Sequence, residues 1–112
     1  MPFTMTTPAE AAVETPMYSV GNSTQWVRFV APATGRYYIY KYGVLNDGYL
    51  AMSILNKHGN YLQGFTQYST ENPLATSILL TAGQVIYVRI NWREYDKANA
   101  VHAVTISRMA PQ

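Results

Sequence analysis

The sequence predicts an all-β chain: an antiparallel β-sandwich of about eight short strands, of the jelly-roll type, with an extended N-terminal arm. Three observations carry that expectation. Large side chains recur at every second position in run after run, most cleanly at Ile86, Val88, Ile90 and Trp92. Turn residues interrupt the runs at the spacing usual for a sandwich. No stretch reads convincingly as a helix.

The elements follow in order. Residues 1–16 are rich in Thr, Pro, Ala and Glu, with Pro2, Pro8 and Pro16 spaced through them. They read as an arm lying on its own domain or on a neighbour, with room for a short helical turn around Pro8 to Val13. Residues 17–112 read as a single domain. Its first strand is expected at Met17 to Val20, ended by Gly21-Asn22-Ser23. The stretch Trp26 to Tyr42, WVRFVAPATGRYYIYKY, holds the next two strands, Gln25 to Ala31 and Gly35 to Tyr42. The Pro32-Ala33-Thr34-Gly35 break between them reads as the turn of a hairpin. Tyr49 to Asn56 and Tyr61 to Tyr68 follow as partners, joined by Lys57-His58-Gly59-Asn60 with Gly59 supplying positive φ. Ala75 to Thr81, a tight turn at Ala82-Gly83-Gln84, Val85 to Trp92 and Ala100 to Arg108 complete the set.

Within the Trp26–Tyr42 stretch, Val27, Phe29, Tyr37 and Ile39 are expected to build the core. The opposite positions then carry Trp26, Tyr38, Tyr40 and Tyr42, a ladder of aromatics on one face, with Arg28, Tyr87 and Arg89 as its neighbours. Three readings of this face stand side by side. It could be an interface with another copy of the chain, a platform for sugar or peptide, or part of the core with the in/out phase inverted.

Composition narrows the function classes. Hydrophobic residues make up 48% and charged residues 12%, which describes a folded chain with a neutral, polar surface. Ten tyrosines in 112 residues favour binding surfaces and subunit contacts, because the side chain is amphipathic and loses little entropy when fixed. The net charge is +2, and the basic residues are scattered rather than clustered, which argues against nucleic acid as partner. No cysteine is present, so disulfides and thiolate chemistry are excluded. No apolar run approaches the roughly 20 residues of a membrane-spanning helix. The first sixteen residues have neither a basic n-region nor an apolar h-region, so the expectation is a chain that starts at Met1 and carries no secretory signal.

Catalytic patterns are missing from the sequence. There is no Gly-x-Ser-x-Gly elbow, His-Glu-x-x-His pair, phosphate loop or Asp-x-Asp-x-Asp-Gly loop. His58 sits at an expected hairpin tip, and His102 in a strand between Val101 and Ala103, neither beside a triad partner or a metal set. The six acids fall in the arm and in loops. A loop calcium site drawing on Asp47 or Asp96 is conceivable because hard cations want loop oxygens, but Asp47 equally caps its own turn. The expectation is a non-enzyme with no cofactor.

The string Gln25 to Tyr37, aromatic-x-Arg-Phe-x-Ala-Pro-x-x-Gly-x-Tyr, resembles the bacterial pre-peptidase C-terminal domain family. So do Tyr49-Leu50 after an Asp, Gly59-Asn60, Leu80-Thr81-Ala82-Gly83-Gln84, Ile86 to Ile90 and Val104-Thr105-Ile106. The similarity spans about residues 24–108 and rests on fold-building positions. Phe29, Ala31-Pro32, Gly35, Tyr37 and the Leu-Thr-Ala-Gly-Gln turn also resemble the complement-type, tumour-necrosis-factor-like jelly-roll heads. Both resemblances imply a non-catalytic sandwich used for binding or assembly.

Two functions are therefore expected. The first is a structural component of a bacteriophage virion, a capsid decoration or head-tail accessory protein. It would dock on copies of itself or on a larger particle by its arm and aromatic face. The alternative is an extracellular accessory module that binds polysaccharide or fibrous protein through the same aromatics. Neither reading involves nucleic acid or a membrane.

Overall fold

A computed structural model describes residues 9–10, 12–13, 17–20, 24–41, 48–67, 74–94 and 101–110, with side chains for 12–13, 24–41, 51–64, 75–91 and 103–110. Alternating runs in the sequence become strands because a period of two places every second side chain on one face. The strands are β1 (Ala9–Glu10), β2 (Met17–Val20), β3 (Thr24–Val30), β4 (Gly35–Lys41), β5 (Gly48–Asn56), β6 (Tyr61–Gln67), β7 (Leu74–Leu80), β8 (Val85–Glu94) and β9 (Val101–Ser107). No helix occurs among the described residues.

These strands form two sheets. One has the order β1-β3-β8-β5-β6 and the other β2-β9-β4-β7. All neighbours are antiparallel except β1, which adds to the edge of β3 in parallel. From β2 to β9 the chain changes sheet at every connection but one, which gives the expected jelly roll. The exception is β5 to β6, where the predicted Lys57–Asn60 hairpin turn is present with Gly59 at φ 83.

The core lies between the sheets. Val27, Phe29, Met52, Ile54, Ile86, Val88 and Ile90 project from the five-stranded sheet. Tyr37, Ile39, Leu80, Val104 and Ile106 come from the four-stranded one, and all twelve are buried. Removing such a side chain from water stabilises the fold by about 1.5–3 kcal/mol each. Phe29 and Tyr37 meet edge to face across the interior, with ring centroids 5.3 Å apart. At the side where edge strands β6 and β7 run past each other, Gln63 Nε2 donates to Thr76 Oγ1 at 2.8 Å and to the Ser77 carbonyl at 2.5 Å. One amide thus ties the edges of the two sheets together.

Two expectations are corrected. The Trp26–Tyr42 stretch is not a hairpin: β3 pairs with β1 and β8, whereas β4 pairs with β7 and β9. Residues 31–34 instead carry the chain across from one sheet to the other. The physical reason is that both β3 and β4 have one strongly apolar face. Two such faces are better buried against each other in separate layers than side by side in one. In the arm, Ala9 and Glu10 pair with Val27 and Arg28 as an edge strand where a helical turn was expected. Val13 packs against the core, so the described part of the arm lies on its own domain.

Candidate binding faces

Both outer faces of the sandwich follow from the registers. On the five-stranded sheet, Val27 and Phe29 point inward, so Trp26 and Arg28 point out. On β8, Ile86, Val88 and Ile90 point inward, leaving Tyr87 and Arg89 outward. Trp26 sits directly opposite Arg89, and Arg28 opposite Tyr87. Aromatic and guanidinium therefore alternate like the squares of a chequerboard on two adjacent strands. The two aromatics occupy one diagonal, roughly 7–8 Å apart at their Cα atoms. Ser53 and Leu55 of β5 extend this surface, opposite Arg89 and Tyr87. All four site residues are half-buried. Trp26, Arg28 and Tyr87 each hold interactions within the chain, as does Tyr40 on the other sheet.

Tyr38 and Tyr40 lie elsewhere. They project from β4 on the outer face of the four-stranded sheet, on the opposite side of the molecule. The single aromatic face expected from the sequence is thus two faces, because the chain crosses the core between Val30 and Gly35. Tyr42 lies outside the described residues, as do Asp47 and Asp96 of the conceived calcium loop. The in/out phase is as expected: neither Trp26, Tyr38 nor Tyr40 belongs to the buried core. Tyr38 is flanked by Ser77 and Ser107, and Tyr40 by Ala75 and Thr105. Both tyrosines are half-buried among small neighbours, and Ser107 is only 2% exposed.

The end of the sandwich where β3 leads into β4 is built from two crossing segments that meet. Ala31 N donates to the Gln84 carbonyl at 2.9 Å, Gly83 N to the Ala31 carbonyl at 2.8 Å, and Ala82 N to Thr34 Oγ1 at 2.9 Å. Below them the Tyr37 hydroxyl donates to the Ala33 carbonyl at 2.5 Å and accepts from Ala33 N at 3.1 Å. The Arg108 guanidinium lies over the Tyr37 ring, 4.9 Å from its centroid, and Nη2 reaches the Thr34 carbonyl at 3.4 Å. The Ala-Pro-x-x-Gly and Leu-Thr-Ala-Gly-Gln strings are therefore bonded neighbours that clamp the two sheets at one end.

A cavity of about 260 Å³ opens beside this clamp, lined by Asn56, Lys57, His58, Gly83, Gln84 and Val85. Sequence reasoning missed it. Its two halves are far apart in the chain and meet only through the pairing of Asn56 with Ile86. The one available signal was the pair of tight turns at 57–60 and 81–84, which the β5–β8 register brings to the same rim.

Among the described residues, no group of three His, Asp or Glu side chains is arranged to hold a metal ion, and no helix is long and apolar enough to cross a membrane.

Comparison with known proteins yields a fold and nothing finer. No family model matches the sequence, and no curated protein matches it. Among solved structures, the chain is similar to the pre-peptidase C-terminal domain of a collagenase from Bacillus anthracis. The TM-score is 0.62 at 11% sequence identity, covering 93% of this chain and all of that domain. The chain thus has the β-sandwich fold of a pre-peptidase C-terminal domain, as the Gln25–Tyr37 pattern implied.

Proposed function

We propose that this chain is a non-catalytic accessory module that holds a larger protein on a fibrous protein. It docks through the outer face of its five-stranded sheet. The observation that carries this reading is the Trp26/Arg89 and Arg28/Tyr87 chequerboard at the centre of that face. Trp, Tyr and Arg are the side chains over-represented among residues that dominate binding energy. Their half-buried placement lowers the entropy lost on docking. An extended polypeptide suits the pattern, since the rings can pack on its side chains while the guanidiniums donate to its carbonyl groups. The similar solved domain is part of a collagenase, which is consistent with a fibrous target.

The expectation of a virion component rested on the absence of a secretory signal, cysteine and catalytic motif, and on an arm and one tyrosine-rich face to dock on neighbouring subunits. With the aromatics on two faces and Ala9–Glu10 paired to their own sheet, the last two supports weaken and the accessory-module reading gains. Co-sedimentation with insoluble collagen, chitin and cellulose tests it. Binding to collagen that Trp26→Ala and Arg89→Ala abolish, and Tyr40→Ala leaves intact, is the expected result. Binding only to a polysaccharide, or no binding by a chain that light scattering finds in a closed oligomer, would overturn it.

A further inference from the structure

We propose that the cavity between the β5–β6 turn and the β7–β8 connection is a binding site for a small carboxylate-bearing ligand, separate from the docking face and independent of that reading. The argument begins with the two amides that line it. Asn56 Oδ1 accepts from His58 N at 2.9 Å and from Asn60 N at 3.0 Å. Gln84 Oε1 accepts from Thr81 N at 2.9 Å. A backbone N–H can only donate, so in both side chains the oxygen is the atom engaged. Each amide is thereby oriented, and its NH₂ end is what it has left to offer. The remaining polar lining groups are the Lys57 ammonium and the His58 imidazole, both on exposed residues. The polar side chains of the lining therefore offer donors, and none of them is a carboxylate.

One further cation stands near the adjoining connection. Arg108 reaches Thr34, whose hydroxyl accepts from Ala82 in the adjoining connection. Arg36 lies one residue into β4 at this end, but its guanidinium donates to Ser77 Oγ at 3.1 Å on the four-stranded sheet and adds nothing to the cavity lining. Among the described residues, no Asp or Glu lines the cavity: Glu10 pairs beside Arg28, two strands from β8, and Glu94 ends β8 at the far end. Side-chain donors that include the Lys57 ammonium, with no carboxylate among them, select an anion with several acceptor lone pairs, and a carboxylate matches that geometry. Gly83, at φ 82 and with open space where a Cβ would sit, keeps the rim low. A volume of about 260 Å³ lies below the range of drug-sized sites, so the ligand is a small acid or the end of a chain.

The test is a titration of the full chain, followed by backbone amide NMR at constant ionic strength. The probes are N-acetylglycine and its neutral counterpart N-acetylglycinamide. The acid should shift the amides of residues 56–59 and 83–85 in a saturable way, with a dissociation constant on the order of millimolar for so small a ligand. The neutral amide should leave them in place. Lys57→Ala, at an exposed position, should keep the spectrum of the folded domain and weaken binding about three- to tenfold. Equal shifts with both probes, unsaturable shifts spread over Arg36, Arg89 and Arg108, or unchanged affinity in Lys57→Ala would each overturn the proposal.

Discussion

The two outer faces of the sandwich carry aromatic side chains in different settings. On the five-stranded sheet, Trp26 and Tyr87 sit on neighbouring central strands, each opposite an arginine. On the four-stranded sheet, Tyr38 and Tyr40 share one strand and are flanked by serine, alanine and threonine. Large groups set among other large groups and charges form the contact surface proposed above. Large groups set among small ones have less around them with which to build a shared contact surface. Aromatic content alone therefore does not mark a binding surface; the cross-strand neighbours decide.

The most forceful way to break this contrast is to remove what both faces depend on. Tyr37 is fully buried, touches Phe29, and anchors the segment at Ala33. Tyr37→Ala should lower stability by about 3–5 kcal/mol in urea denaturation, and both faces should be lost together. Next in size, Trp26→Ala should weaken attachment to a fibrous protein by about 2 kcal/mol or more, roughly thirtyfold, while its unfolding midpoint moves little. Tyr40→Ala should do the reverse. It should lose about 1 kcal/mol of stability as the half-buried ring is removed from between Ala75 and Thr105, with binding unchanged. The smallest effect expected is that of salt. Raising ionic strength from about 0.05 to 0.5 M should weaken binding a few-fold in the native chain, through Arg28 and Arg89, and less in Arg89→Ala.

Much of the fold was legible in the sequence, for a definite reason. A period of two states which side chains share a face, so the inward set Val27, Phe29, Tyr37, Ile39, Ile86, Val88 and Ile90 could be read directly. It does not state which strand lies alongside. Pro32 and Gly35 suit a hairpin turn and a crossing between sheets equally well, and only the long-range β3–β8 register separates the two. The same gap explains the misplaced Tyr38 and Tyr40, whose outward orientation was legible while their sheet was not. The parallel edge strand at Ala9–Glu10 was hidden because two paired residues leave no periodicity to detect. The cavity at Asn56 and Gln84 was hidden because its walls come from turns that local sequence shows only as turns.

The most direct test of the docking face is an amide NMR map of the chain titrated with a soluble triple-helical collagen peptide. Perturbations should concentrate on β3 and β8 around Trp26, Arg28, Tyr87 and Arg89, with Tyr38, Tyr40 and Ser77 silent. Perturbations centred on Tyr38, Tyr40 and Ser77, with β3 and β8 unmoved, would contradict it.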